Sequence, residues 1–374
     1  MRGDAALPRT ADVVIIGGGP AGSAAALTLA RAGVAVVLLD AGRPRLAVGE
    51  TLPPASKPAL QALGLWSAMA GEGHLPSVGS WSAWGGAEPW GRDFLFNRFG
   101  HGWHLDRRRF DALLRAAARA AGARIAPSAA VFASDALTAG GFRLRLSAGR
   151  QIDARIVLDA GGRHANFARQ RGVRRHAVDR MVALVGYVAR RADAEAEPAA
   201  TLVEAVPDGW WYSAPLPQDR LATVFMTDAD LANGGARMTS WFNRLAAAEH
   251  TAARALRYGA GLAGPPSVVP AVSGRLERFG DAAWLALGDA AATQDPLSSE
   301  GILVAIESGI DAAAAVVRTL DGERDALLAA ADRREAAWRS YLDQCASNYA
   351  LEQRWPEAPF WQRRTRQDER RSVA

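Results

Sequence analysis

An α/β fold is predicted by three observations: a Rossmann-type domain (a parallel sheet with helices) intertwined with a domain built on an antiparallel β-sheet, followed by C-terminal helices. The first observation is a strand, a glycine-rich turn and a helix near the start of the chain, closed by an acidic residue at 40. The second is a short nucleotide-type signature, Gly288-Asp289-Ala290, about 270 residues later. The third is a central run of apolar, alternating segments between residues 181 and 227, which read as antiparallel strands.

Val13 to Ile16 is a β-branched run, as a buried parallel strand requires. Gly17-Gly18-Gly19-Pro20-Ala21-Gly22 follows with G-x-G-x-x-G spacing at Gly17, Gly19 and Gly22. That spacing allows a tight turn, close approach of a pyrophosphate and close helix–strand packing. A helix over 24–32 ends at Gly33, and its N-terminal amides suit a pyrophosphate. A second strand, 34–39, delivers Asp40 to a position where it accepts from both ribose hydroxyls, which suits FAD or NAD and disfavours a 2′-phosphate. With Gly288-Asp289 returning to the far end of the same dinucleotide, the pattern reads as an FAD protein.

Further along, residues 71–104 read as loops and short strands, and Asp106 caps a helix whose apolar face carries Leu113, Leu114, Ala117 and Ala121. Residues 143–146 and 151–152 form a meander. Ile156 to Leu158 is a buried strand leading into Asp159-Ala160-Gly161-Gly162-Arg163. Strands at 181–190, 201–206, 210–215 and 221–227 make the antiparallel sheet, and helices follow at 237–259. Trp284 to Leu287 is another buried strand, and two long helices cover 302–320 and 325–347. The expected organisation is discontinuous. Residues 11–175 and 270–320 form the FAD domain with its inserted meander, 176–269 the substrate domain, and 321–374 a C-terminal helical segment with a basic tail.

The chain has 374 residues, 49% of them hydrophobic, and a net charge of +5. Its only lysine is Lys57, so the positive charge is arginine, dispersed except at Arg363, Arg364, Arg366, Arg370 and Arg371. That run reads as a solvated tail, and no nucleic-acid partner is expected. A single cysteine and six scattered histidines give neither a disulfide framework nor a metal site. No apolar stretch of about 18 residues and no signal pattern is present, so no membrane span and a cytoplasmic location are expected.

Asp159-Ala160-Gly161 and the segment Gly288 to Gly301 resemble the "DG" and "GD…P…G" elements of class A flavin monooxygenases. Gly209-Trp210-Trp211-Tyr212-Ser213-Ala214-Pro215 is similar to the G-W-x-W-x-I-P segment of tryptophan halogenases, from which Tyr212 and Ala214 depart. Halogenases also place a lysine about 30 residues after the Gly49-Glu50-Thr51 type of element, and here that stretch, Val78 to Trp84, has none. A better overall match is to the halogenase-like flavoproteins that help mature tryptophan-derived quinone cofactors. They resemble this chain in Glu50-Thr51-Leu52-Pro53-Pro54, Gly102 to Arg107, Gly209 to Pro215, Thr227 to Asp230 and Arg354-Trp355-Pro356.

The resemblance implies cofactor contacts at Gly17, Gly19, Pro20, Ala21, Gly22, Asp40, Arg107, Asp159, Gly288, Asp289, Pro296, Gly301 and Ile302. Asp289 would accept from ribityl hydroxyls. The amides of Gly301 and Ile302, at a helix start, would favour negative charge on the flavin ring. Arg107 reads either as a phosphate or ribose contact or as a surface ion pair. Glu50 reads as a carboxylate beside the isoalloxazine or as a loop brace. Trp210 and Tyr212 read as cavity lining, although strand alternation turns them away from Trp211. His101 and His104 read as proton carriers or as structural.

The implied chemistry is that of an FAD-dependent monooxygenase. Reduced flavin and O2 form a C4a-hydroperoxyflavin that hydroxylates an electron-rich aromatic substrate, an indole or tryptophan in a peptide, a protein or a small molecule. No second G-x-G-x-x-G is present, so electrons would come from transiently bound NAD(P)H or from a partner flavin reductase. Halogenation, a saturating flavin reductase of the isoprenoid type, and a redox-silent chaperone of a partner protein are the rival readings.

Overall fold

Strand β1 (Thr10–Ile16) buries Val13, Val14 and Ile15 completely, as a strand covered on both faces must. Helix α1 (Pro20–Arg31) opens on a proline, whose missing N–H costs a first-turn residue nothing. Strand β2 (Val36–Asp40) runs parallel to β1. The computed structural model describes residues 7–42, 50–194, 197–232, 238–259 and 261–371, so Gly49 lies outside the described residues.

Short elements follow: β3 (Thr51–Leu52), α2 (Lys57–Ala62), α3 (Trp66–Met69), β4 (Leu75–Ser77), β5 (Gly79–Ala83), β6 (Trp90–Asp93) and β7 (Gly102–His104). Strands β3 and β4 both pair with β7 in a small sheet. Helix α4 (Arg107–Ala120) is capped as its sequence predicts. The Asp106 carboxylate accepts from the amides of Arg108 and Arg109 at 3.0 and 3.2 Å, a cap contributing about 1 kcal/mol. Strand β8 (Arg124–Pro127) lies parallel to β2.

The meander is β9 (Val131–Ala136), β10 (Phe142–Leu146) and β11 (Gln151–Asp159). The long strand β11 is shared. Its first half pairs antiparallel with β10, its second half pairs in parallel with β19 (Trp284–Ala286), and its other edge pairs in parallel with β1. The C-terminal ends of β1, β2, β11 and β19 therefore face the same way, the side on which open α/β sheets take ligands. Helix α5 (Asn166–Gln170) follows β11, and β12 (Arg175–Ala177), β18 (Gly274–Leu276) and β20 (Ala292–Thr293) form a three-stranded patch.

The second sheet holds β13 (Met181–Ala189), β14 (Ala200–Val206), β15 (Gly209–Leu216), β16 (Arg220–Asp228) and β17 (Ser267–Pro270), in the order β17-β13-β16-β15-β14-β5-β6. Two strands from before residue 100 thus complete it. One face packs on α6 (Met238–Ala246) and α7 (Glu249–Tyr258), with Trp211 against Phe225 and Trp241 at 4.9 and 5.6 Å between ring centres. The other face carries Trp210 and Tyr212, as strand alternation predicts.

Helix α8 (Gly301–Leu320) crosses α1 where a side chain at Gly309 would bring its Cβ within 2.3 Å of the Ala21 carbonyl oxygen, so only glycine permits this approach. Helix α9 (Ala326–Ala350) and helix α10 (Pro359–Arg371) then close over the Trp210 face. The solvated basic tail expected at Arg363 and Arg364 is corrected here. Arg364 is buried and pairs with Asp228 at 3.2 Å, while Arg363 reaches Asp228 and Asp230, both at 2.7 Å. The tail reads as solvated because its two acidic partners lie over 130 residues away in sequence. Among the described residues, no helix is long and apolar enough to cross a membrane, and no cluster of His, Cys, Asp and Glu could hold a metal ion.

Candidate functional site

The turn after β1 is a backbone cradle. Gly17 has φ of 113°, and a Cβ there would lie 2.2 Å from the Ala160 carbonyl oxygen. A Cβ at Gly22 would lie 2.0 Å from the Gly17 oxygen, so side chains are excluded where the amides of the α1 start converge. Asp40, at the end of β2, points one carboxylate oxygen at Gly18 and accepts from the Gly42 amide at 3.1 Å with the other. Gly288 and the exposed Asp289 stand at the end of β19, with Gly288 packed between Ala21 of α1 and Ala305 of α8. The residues fit a dinucleotide whose pyrophosphate lies on the α1 amides. A cleft of about 710 Å³, lined by Arg9, Thr10, Arg124, Arg143 and Arg150, opens at the opposite, N-terminal ends of these strands and belongs to no part of this site.

Arg115 was not singled out by its sequence. It donates from Nη1 to the Gly18 carbonyl at 2.9 Å, bracing the turn from α4. The signal was present in the spacing Arg107, Asp111, Arg115, which puts all three on one helix face. Arg107 is mostly buried and reaches Asp111 at 3.5 Å. Asp159 is fully buried, and burial raises its pKa. Its two oxygens accept from the amides of Gly161 and Ala168 at 3.0 Å each, so this carboxylate braces the second turn from within.

Around Glu50 the small sheet meets the large one. Glu50 is buried and accepts from the Tyr187 hydroxyl at 3.1 Å. Its neighbour Thr51 shares a 2.5 Å hydrogen bond with the Tyr212 hydroxyl and lies 3.3 Å from His104 Nδ1. Burial, reinforced by the Glu50 charge, raises both tyrosines well above the usual phenol range, so both stay protonated donors. His104 is fully buried. Burial, then the Arg254 guanidinium, lowers it to about 3, which makes it too weak a base to carry protons near neutrality. His101 lies outside this cluster, with Nδ1 at 2.8 Å from the Gly102 oxygen and its ring edge-on to Trp103 at 4.7 Å. The structure thus brings together Glu50, His104 and Tyr212, adds Thr51 and Tyr187, and leaves His101 apart.

Strand register extends the row from Tyr212. Tyr212 lies opposite Val203, Val203 opposite Ser82, and Ser82 opposite Trp90, and directly paired residues share a face. Ser80 and Ser82 therefore occupy this face of β5, half-buried, in the stretch where the halogenase pattern expects a lysine. The one lysine, Lys57, sits instead over the Trp66 ring, 5.2 Å from its centre.

Trp210 is core rather than cavity lining. It is fully buried, and its indole N–H donates to the Tyr349 hydroxyl at 3.0 Å. Tyr349 in turn donates to Asp295 at 2.7 Å, and Tyr341, two helical turns earlier on α9, accepts from the Asp295 amide at 2.7 Å. Two tyrosines of one helix thus grip the residue before Pro296. Burial raises Asp295 to about 6, opposed by the Leu297 amide, Arg364 and Tyr349. Pro296 opens a short 3-10 turn, and Ser299 takes a left-handed φ of 54° just before Gly301 and Ile302 begin α8.

The family model described as "Tryptophan halogenase" matches residues 88–374, and that described as "Pyridine nucleotide-disulphide oxidoreductase" matches residues 11–69. The chain is 27% identical over 332 residues to the tryptophan 2-halogenase of Chondromyces crocatus, covering 85% of this chain and 63% of that one. The chain thus spans less than two thirds of that relative's length. The flavin-dependent halogenase CmlS superposes with a TM-score of 0.83 at 27% identity, over 98% of this chain and 70% of that one. The peptidyl tryptophan dihydroxylase QhpG superposes with a TM-score of 0.75 at 25% identity, over 95% of this chain and 78% of that one.

Proposed function

The chain belongs to the tryptophan halogenase family and has the FAD-dependent flavoprotein fold, and from that premise we propose that it is an FAD-dependent monooxygenase hydroxylating an electron-rich aromatic ring. The ring is an indole, in a peptide, a protein or a small molecule. The observation that carries hydroxylation over halogenation is the pair Ser80 and Ser82 on the site face of β5, with the only lysine held elsewhere over Trp66. The solved dihydroxylase acts on peptidyl tryptophan, which is compatible with this reading.

Bound and reduced, the flavin supplies the activation of O2. The chain supplies the rest. The Gly17–Gly22 turn and the α1 amides hold the pyrophosphate, Asp40 the ribose, and Gly288 and Asp289 the ribityl chain. Arg107 stands nearby on α4. The loop of Pro296 and the amides of Gly301 and Ile302, at the start of α8, would hold the ring and favour negative charge on it. Tyr187 keeps Glu50 oriented, and the hydrogen-bonded pair of Tyr212 and Thr51 leaves one hydroxyl to donate to a polar group on the substrate. The apolar shell of Trp84, Trp210, Leu297 and Tyr349 keeps water out. Electrons come from NAD(P)H bound in passing or from a flavin reductase.

Halogenation is the second reading, favoured by the family and by the activity of the Chondromyces relative. Mass spectrometry of products separates the two. The FAD-loaded protein, a flavin reductase, NADH and O2 are incubated with indoles and tryptophan peptides in chloride and bromide buffers. Gain of one or two oxygen atoms is the expected result. A halogen isotope pattern would replace hydroxylation by the second reading. Unmodified substrates with NADH consumed only to hydrogen peroxide would sink both for those substrates.

A further inference from the structure

Strand β19 runs into a single 3-10 turn, Gly288–Ala290, the turn read above as the hold on the ribityl chain. The turn closes two of its own carbonyls. The Ala290 amide donates to the Leu287 oxygen and the Ala291 amide to the Gly288 oxygen, both at 3.0 Å. Main-chain groups away from water need partners, and here three side chains from three other elements supply them to the Gly288 amide and to the carbonyls of Ala286, Asp289 and Ala290.

Arg175, on β12, donates from Nη1 to the Asp289 and Ala290 carbonyls at 3.2 and 3.3 Å. From Nη2 it donates to the Gly274 carbonyl at 3.2 Å and the Thr293 hydroxyl at 2.9 Å. One planar fork thus ties the turn to β18 and β20, and the point charge of an ammonium could not serve all four acceptors. Burial lowers the Arg175 pKa, opposed by the Asp289 charge, so the guanidinium lies near that carboxylate as well as behind its carbonyl. Ser308, on α8, donates to the Ala305 carbonyl at 2.8 Å, which leaves its oxygen to accept from the Gly288 amide at 3.0 Å. Arg334, on α9, donates to the Ala286 carbonyl at 3.1 Å and to the Ser308 carbonyl at 2.7 Å. It therefore grips both the end of β19 and the turn of α8 that presents the Ser308 hydroxyl.

The other cofactor hold has a different brace. Arg115 fixes the Gly18 carbonyl, and none of Arg175, Ser308 and Arg334 hydrogen-bonds to the Gly17–Gly22 turn or to Asp40 among the described residues. A two-ended cofactor held at separately braced turns can lose one hold and keep the other. We propose that Arg175 and Ser308 are positioning residues for the flavin half of FAD. They keep the Gly288–Asp289 backbone where it meets the ribityl chain, and they leave the adenosine half to Gly17–Gly22 and Asp40. The proposal rests on the reading of that turn as the ribityl hold.

The test takes the full chain, freed of flavin, as wild type and as Arg175→Lys, Ser308→Ala and Asp289→Ala. Each is titrated by calorimetry with FAD and with ADP, which carries the adenosine and pyrophosphate of FAD but no ribityl chain. Arg175→Lys and Ser308→Ala should each weaken FAD about tenfold, the cost of about one buried hydrogen bond, and leave ADP affinity as in the wild type. Ser308→Ala removes one oxygen atom from a half-buried side chain, so it keeps the test open should Arg175→Lys fail to fold. FAD and ADP weakened alike would make the effect a general loosening of the fold and overturn the positioning role. Unchanged FAD affinity in Ser308→Ala, or in a folded Arg175→Lys, would overturn it too. Asp289→Ala separates that failure from failure of the underlying reading. If it weakens FAD alone while the other two variants bind FAD as the wild type does, the turn holds the ribityl chain without these residues. If it leaves FAD affinity unaltered, the ribityl reading falls and the positioning roles fall with it.

Discussion

Tyr349→Phe removes one hydroxyl that two buried groups depend on, the Trp210 indole N–H and the Asp295 carboxylate. Burial lifts Asp295 from 3.8 to about 6, which corresponds to about 3 kcal/mol of opposed ionisation. Because the folded value lies above the unfolded one, the folded chain keeps a proton between about pH 4 and 6 that the unfolded chain has released. Stability therefore falls as pH rises through that window and stays lower above it. The charged groups facing Asp295 are Arg364 of α10 and Asp179 before β13, and around them stand the Leu297 amide and Tyr341, Cys345 and Tyr349 of α9. At about pH 5 the carboxyl is mostly neutral, so the variant loses neutral hydrogen bonds and strands the Trp210 N–H, at about 2 kcal/mol. At about pH 7.5 it also removes a donor from a buried anion, which raises the loss to about 3 to 4 kcal/mol. Urea unfolding of both proteins, followed by circular dichroism at the two pH values, measures the difference. An equal loss at both, or a larger one at the lower pH, would refute the argument that Tyr349 acts on an ionised Asp295.

Three further outcomes are expected. Gly17→Ala places a methyl group 2.2 Å from the Ala160 carbonyl oxygen on a left-handed backbone, and should abolish flavin absorbance in the purified protein while the circular dichroism of the second sheet persists. Tyr187→Phe removes the donor to Glu50, and should lower product per NADH about tenfold with FAD affinity unchanged in a titration of the apoprotein. His104→Gln should leave the shape of the pH–rate profile between about pH 6 and 8 unaltered, because burial and Arg254 already hold His104 neutral there; loss of a limb near 6.5 would return the residue to proton transfer.

How far the site was legible depends on the separation of its parts. The cradle at Gly17 to Gly22 and the cap at Asp106 are local, so spacing and residue type revealed both before any coordinates. The alternation of Trp210, Trp211 and Tyr212 likewise assigned the two faces, although not which face was core. What spacing cannot carry is long-range pairing. Tyr187 reaches Glu50 across 137 residues and Tyr349 reaches Asp295 across 54, and neither tyrosine sits in a pattern that names its partner. The stretch from 71 to 104 holds the loops and short strands its sequence suggests, but not the pairing that makes them part of the second sheet. Its strands β5 and β6 are short and rich in Gly, Ser and Trp, and they become strands only by adding to β14, over 100 residues later.

The C-terminal helices make the same point about function. Read alone, the last residues are a basic run, and a basic run is ordinarily solvated. In place, Arg354, Trp361, Arg363 and Arg364 lie against the second sheet. Arg364 pairs with Asp228, Trp361 donates to the Val206 carbonyl at 3.0 Å, and Arg354 holds Glu352 while reaching the Ala83 carbonyl at the end of β5. Each contact joins α10, or the turn between α9 and α10, to a strand of the second sheet. Through Tyr349 and Tyr341 the same helices fix Asp295, and with it the turn into α8. The Tyr212 face and the Pro296 turn into α8, which the proposed function sets beside substrate and flavin, therefore share one support. A change in α9 should move both together, so its signature is altered flavin absorbance and altered substrate affinity in the same variant, which packing of either wall alone would not produce.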